Sequence, residues 1–249
     1  MDPKLYREMA ETQHKHWWFR ARREILANVI ARLELASPAE LLEIGAGTGG
    51  NLGMLSRYGR VSAVEVDGFA RQYASDVSGL RVSYGCLPNQ LPFADASFDL
   101  ICLFDVLEHI QDDANALKRV HQLLKPRGRA VITVPAYQWL YGAHDRAHRH
   151  FRRYTARQLH LKARNAGLRV GRSGYFNALL FPLIAARRLY KLTTGQEDGN
   201  DAALPSRIVN GLLYAVFAAE KYVVPFASFP YGTSVLAILE RDDSRACRG

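Results

Sequence analysis

Residues 40–50 read ELLEIGAGTGG. The short run Glu40–Ile44 has strand character and empties into a turn with four glycines. Glycine admits positive φ and keeps a Cβ out of the way, so the backbone can come close to a ligand. Asn51–Tyr58 follows with a helical pattern, which aims its first amides at the same space. Val61–Val66 reads as a second strand, and Glu65, near its end, stands twenty positions after Gly45. A carboxylate there can accept both hydroxyls of an adenosine ribose.

The alternation continues outward. Phe69–Val77 reads as a helix, Leu80–Tyr84 as a strand, and Phe98–Phe104 (FDLICLF) as a buried central strand. Asp105 opens a short helical segment, Asp113–Leu124 is a fuller helix before Pro126, and Ala130–Val134 is a fifth strand. Thr155 caps a helix running to Asn165, with Gly167 beyond it. Leu168–Tyr175 and Thr233–Leu239 supply two more strands. Upstream, Leu5–Leu35 reads as one helix, broken at Ser37-Pro38. Strands alternating with helices predict an α/β fold: a Rossmann-like, seven-stranded, mostly parallel sheet with helices on both faces. An N-terminal helical cap covers residues 1–36. A domain covers 37–249, with a helical insertion at about 176–232 between the last two strands. That insertion holds two apolar segments, Phe176–Leu192 and Ile208–Phe229, the second interrupted by Glu220, Lys221 and Pro225. Such segments suit a lid, a dimer face or an interfacial membrane segment better than a membrane span.

Composition agrees. A chain of 249 residues with 48% hydrophobic and 23% charged side chains is neither a disordered tail, a coiled coil nor a disulfide scaffold. Cys86, Cys102 and Cys247 have no zinc or redox spacing, and the N-terminus has no signal-type apolar core, so a reducing cytoplasm is expected. The net charge of +9 is local: His144–Lys191 carries twelve Arg or Lys against Asp145 alone. That block suits an anionic substrate, a lipid phosphate, a membrane surface or simply a solvated face.

Gly45, Gly47 and Gly50 also satisfy G-x-G-x-x-G, so a nicotinamide enzyme is an alternative. However, Glu43, Glu65 and Asp105 make the neighbourhood acidic, which suits a cationic cofactor better than a pyrophosphate. The residues EIGAGTG (43–49), VSAVEVD (61–67), LPFADASFDLI (91–101), DVLEHI (105–110) and LLKPRGRAVITVP (123–135) resemble class I S-adenosylmethionine-dependent methyltransferases. HWWFRARR, VPAYQWLYGAHD, HFRRYT and PYGTSVLAILE are similar to a bacterial small-molecule branch of that class. The resemblance implies S-adenosylmethionine as cofactor. Gly45, Gly47 and Gly49 would pass beneath its methionine part, with Glu43 positioning the amino-acid end. Glu65 would hold the ribose and Val66 would lie against adenine. Cys86, Leu87, Phe104 and Asp105 complete the implied cofactor set, although many relatives carry Asp where Cys86 stands. Trp17, Trp18 and Arg20 are candidates from the N-terminal helix lying over the cofactor.

Two clusters are candidates for the methyl acceptor. Asp105, Glu108 and His109 share one side of a helix by spacing. Asp105 with Glu108 also reads as a capping box; His109 is a candidate general base. A third alternative is a divalent-metal cluster resembling that of quinone-biosynthesis O-methyltransferases, although no metal is assigned. The second cluster follows the fifth strand: His144 and His150 as candidate bases, with Pro135, Tyr137, Tyr141, Asp145, Arg152, Arg153 and Tyr154 around the substrate. Asp145 pairing with Arg152 or Arg153 to pin the loop is the plainer alternative. The expected acceptor is a small molecule that is anionic or lipid-linked, with peripheral membrane contact and a homodimer as further expectations. The alternatives are a nucleic-acid methyltransferase, favoured by pI 9.6 but lacking an N-P-P-Y-type motif, and a non-catalytic S-adenosylmethionine-binding partner protein.

Overall fold

The computed structural model describes residues 3–194 and 204–242. Cys86 and Cys102 carry free thiols, while Cys247 lies outside the described residues. The chain begins with two helices, α1 (Pro3–Thr12) and α2 (Trp17–Ile30), where the sequence predicts one. The break has a local cause: the His16 ring accepts from the Trp18 amide and caps α2, while the Gln13 side chain turns away to Thr48.

Strand β1 (Glu40–Ile44) leads into the glycine turn and the one-turn helix α3 (Leu52–Leu55), shorter than predicted. Then follow β2 (Arg60–Val64), α4 (Gly68–Ser78), β3 (Val82–Ser83), β4 (Phe98–Phe104), α5 (Asp113–Leu123) and β5 (Leu124–Pro135). The loop after β5 is less irregular than its composition suggests. It contains a 3₁₀ turn at Gln138–Leu140 and the short helix α6 (Ala143–Ala147). The capped helix α7 (Ala156–Asn165), β6 (Leu168–Phe176), α8 (Phe181–Thr194), α9 (Arg207–Ala218) and β7 (Ser234–Arg241) complete the chain.

The sheet order is β3-β2-β1-β4-β5-β7-β6. The first five strands pair in parallel, and β7 runs antiparallel between β5 and β6. The direction of winding reverses between β1 and β4, so a crevice opens beyond their carboxyl ends. Both faces are covered. Leu100, Cys102 and Phe104 of β4 face α2 and α9 through Ile25, Leu26, Val29 and Phe217. Ile101 and Leu103 face α5 and α7 through Leu117, Val120, Leu159 and Ala163. This two-residue alternation explains why Leu100–Phe104 is apolar throughout.

Asp113, at the start of α5, ties this layer to the loop after β5. It accepts hydrogen bonds from the Tyr154 hydroxyl and Lys162, both at 2.8 Å, and pairs with Arg152 at 2.7 Å. Burial raises its pKa, but bonds from Lys162, Tyr154 and Arg152 outweigh this and hold it below the usual carboxylate range. A depressed carboxyl pKa stabilises the fold above the unfolded value of about 3.9, and that contribution is lost as pH falls through the folded value. Asp113→Asn is expected to cost about 2 kcal/mol at neutral pH, allowing for the partly exposed partners. It should also flatten the acid side of the stability profile, read by urea unfolding across pH.

Candidate active site

A cavity of about 960 Å³ lies over the carboxyl ends of β1, β4 and β5. Its floor is the glycine turn. Gly45 has φ +75°, and a Cβ there would stand 2.6 Å from Val106 Cγ2. Gly49 has φ +80°, and a Cβ there would stand 3.0 Å from the Ala74 backbone on α4; it lies behind the turn and does not line the cavity. The Gly47 amide donates to Glu65 Oε2 at 2.8 Å. Glu65 Oε1 receives the Val66 and Asp67 amides at 2.8 and 2.9 Å and the Tyr6 hydroxyl at 3.3 Å. The strand-end acid is therefore buried and aimed inward. Val66, Cys86, Leu87, Phe104 and Asp105 also line the cavity.

Glu43 does not reach it. It is buried behind the turn, where Oε1 accepts from Asn51 Nδ2 at 2.8 Å and Oε2 has no partner among the described residues. Burial pushes its pKa up to about 7 against the Asn51 hydrogen bond. Its link to the cavity is Asn51, which does line it.

The N-terminal helices close the near side. Tyr6, Met9 and Gln13 reach over the turn, and Gln13 exchanges hydrogen bonds with Thr48. Trp17 and Trp18 line the cavity, but Arg20 turns away and stacks over Tyr214 at 4.2 Å. The arginines of α2 that line the cavity are Arg23, which donates to the Gln13 carbonyl, and Arg22, which pairs with Asp105 and lies 4.5 Å from the Trp18 ring. Helical spacing places Trp18 and Arg22 on one face, and that was the signal in HWWFRARR that could have found it.

The predicted capping box at Asp105 does not form. Asp105 has φ +59°, and its carboxylate takes Arg22 and the Thr133 hydroxyl. The short turn Leu107–His109 begins at Val106 without a side-chain cap. Asp105, Glu108 and His109 therefore do not act as one cluster. His150 takes the place of Asp105: ligand-capable atoms of Glu108, His109 and His150 lie within 4.8 Å of one another. Two imidazoles and a carboxylate could hold a divalent cation. Glu108 is fully buried, and neither carboxylate oxygen has a partner among the described residues. Burial first, then the Asp105 charge, raises its pKa well above the carboxylate range. Burial and the neighbouring His150 and His148 push His109 down to about 3.

Four histidines gather here. His109 meets His150 edge-on at 4.5 Å, and His144 stacks on His148 at 4.0 Å. His150 is oriented by Asp145, whose Oδ1 lies 2.8 Å from Nδ1. Asp145 also accepts two bonds from Arg153, at 2.8 and 2.9 Å, and one from the Gly142 amide. Burial raises its pKa, but hydrogen bonds from His150 and Arg153 outweigh this and hold it far below the usual range.

The remaining substrate candidates divide. Asp145 and Arg153 line the cavity as a pair, so the Arg153 fork is spent on Asp145. Arg152 points out to Asp113 and the Gln111 carbonyl. Tyr154 is buried with its hydroxyl on Asp113, and Tyr137 stacks on Tyr175 at 5.0 Å; neither lines the cavity. Tyr141 also stays outside it and donates to the His150 carbonyl, while Pro135 does line it.

Residues 17–172 match the family described as a methyltransferase domain, which is more than half of the chain. The chain belongs to the methyltransferase domain family. It is of the class I, S-adenosylmethionine-dependent kind. The chain is 34% identical over 119 residues to dimethylglycine N-methyltransferase of Parasynechococcus marenigrum, covering 43% of this chain and 42% of that one. It is 29% identical over 122 residues to the ubiquinone/menaquinone biosynthesis C-methyltransferase UbiE of Desulfotalea psychrophila, covering 45% and 49%. The match thus spans less than half the length of these curated relatives. In structure, it resembles geranyl diphosphate C-methyltransferase of Streptomyces coelicolor with a TM-score of 0.57 at 15% identity. That likeness covers 87% of this chain and 75% of the other, and shows the fold alone.

In this methyltransferase-family turn, Gly45→Ala combines a clash with a left-handed backbone that L side chains avoid. It should cost about 2 kcal/mol or more in denaturant unfolding.

Proposed function

We propose that this chain is an enzyme that moves a methyl group from S-adenosylmethionine to an oxygen, nitrogen or carbon nucleophile of a small, anionic or lipid-linked molecule. One observation carries the reading: a glycine turn with its buried acid and an Asp145–His150 pair open into the same cavity. The donor set fits the cofactor. A sulfonium carries positive charge, as does the ammonium beside it, and the turn is flanked by carboxylates with no lysine among the cavity's glycine-turn residues. Glu65 would take the ribose hydroxyls, and the Tyr6 hydroxyl, its longest contact, is the donor they would displace. Glu43 would act through Asn51 on the amino-acid end. Val66, Cys86 and Leu87 would flank adenine.

When bound, S-adenosylmethionine supplies an electrophilic methyl carbon. The chain's own task is to align a nucleophile and accept its proton. Asp145 takes the Nδ1 side of His150, which leaves Nε2 with its lone pair to act as base. The Asp145 carboxylate then stabilises the imidazolium that forms. His109 and His144 lie beside that ring and would shield it. Arg153 and Gly142 are positioning groups, because they hold Asp145.

Calorimetry with S-adenosylmethionine and S-adenosylhomocysteine, with NAD as control, tests the cofactor half. Glu65→Ala should weaken binding about tenfold or more. Binding of NAD alone would sink the reading. His150→Ala should lower kcat about 100-fold or more while cofactor affinity stays unchanged. An equal loss of cofactor affinity would remove His150 from the role of base.

A further inference from the structure

Glu108 is a buried carboxylate to which the proposed reaction gives no part. It is 0% exposed, and neither of its oxygens has a hydrogen-bond partner among the described residues. An orphaned buried polar group is rare in a folded protein, and a charged one is the most costly kind, so it calls for a cause. Two nearby guanidinium groups are engaged elsewhere: Arg22 pairs with Asp105, and Arg153 is forked on Asp145. Glu108 lines the cavity, so a species held there can reach it.

Beside it stands a pair of imidazoles. Atoms of Glu108, His109 and His150 that can ligate a metal lie within 4.8 Å of one another. Among the described residues they are the one group of three such side chains gathered so closely. The backbone builds the grouping. The Phe151 amide donates to the Glu108 carbonyl at 2.8 Å, which brings the loop after β5 against the turn Leu107–His109. Both rings are also held from outside the group. Asp145 takes His150 Nδ1 at 2.8 Å, and the His109 ring is hydrogen-bonded to the His148 backbone. Metal-binding histidines are held in this way, because the outer partner sets the ring's orientation and the nitrogen that keeps its lone pair. For His150 that nitrogen is Nε2.

The donors select the ion. Two ring nitrogens and a carboxylate suit a divalent first-row transition metal, whereas magnesium and calcium favour oxygen donors. Bonds of about 2.1 Å gather three donors of this spacing with small side-chain rotations. Three protein ligands leave at least one position open, and the cavity gives the ion a way in. We propose that Glu108, His109 and His150 bind a divalent transition-metal ion, such as zinc, on the wall of the cavity. An ion there takes the His150 lone pair that the methyl-transfer reading gives to the base, so the loaded chain and the base-competent chain are alternative states of one site. That consequence rests on the methyl-transfer reading; the metal site does not.

The test titrates zinc into the untagged full chain, first stripped with a chelator, in a calorimeter. Zinc should bind one to one and raise the melting temperature, because it binds the folded chain. Magnesium at the same concentration should do neither. Cobalt(II) in place of zinc should show visible absorption distinct from that of the hydrated ion. Glu108→Gln keeps the side-chain volume and removes the charge, so it should fold, and it should weaken zinc binding about tenfold or more. His109→Gln should do the same from another side of the ion. S-adenosylhomocysteine affinity should be unchanged in both variants. A folded chain that binds no zinc overturns the proposal. So does zinc binding that both variants retain, or magnesium binding as tight as zinc. Zinc binding without S-adenosylhomocysteine binding would keep the metal site and remove its rivalry with a base.

Discussion

A buried negative charge organises the loop after β5. Asp145 is fully buried, and a carboxylate in that position is stable only if its oxygens are satisfied by donors. The donors come from three directions: Gly142 from just upstream, His150 from just downstream, and the two-pronged Arg153 from the extended segment that follows. A segment with no regular strand or long helix is folded around one anion. The same contacts orient the His150 ring, so under the proposed mechanism the stability of the loop and the readiness of the base would be one property.

The loop is also tied to the sheet. Tyr154 exchanges backbone bonds with Pro135 and Tyr137, and the Phe151 amide donates to the Glu108 carbonyl. These bonds carry His150 to the turn after β4, where His109 and Glu108 wait. Residues about forty apart in the chain thus share a site, and the sheet's parallel strand ends supply the common platform.

Much of this was legible in the sequence where local pattern decides local structure. Glu40–Ile44, Phe98–Phe104 and the Thr155 cap fall where pattern and turn chemistry put them. What escaped were choices made by distant partners. D-x-x-E at Asp105 has the look of a helix start, yet Arg22, 83 positions away, claims the carboxylate. Arg152 and Arg153 are identical in type, but successive residues of an extended segment face opposite ways. One reaches Asp145 and the other Asp113. The first helix splits at a His16 cap written within the segment itself, while the grip of Gln13 on Thr48, 35 positions away, is a distant choice of the same kind.

The reach of α1 over the glycine turn has a kinetic meaning. Tyr6 touches Glu65, Gln13 grips Thr48, and Met9 stands 3.3 Å from where a Gly47 Cβ would be. The turn is therefore roofed by a segment that belongs to neither the sheet nor its crossover helices. A molecule lodged on the turn would lie beneath that roof, which would have to lift for it to enter or leave. In the proposed reaction the lifting of that roof would be a step separate from the chemistry, and it would set the rate wherever it is the slower of the two.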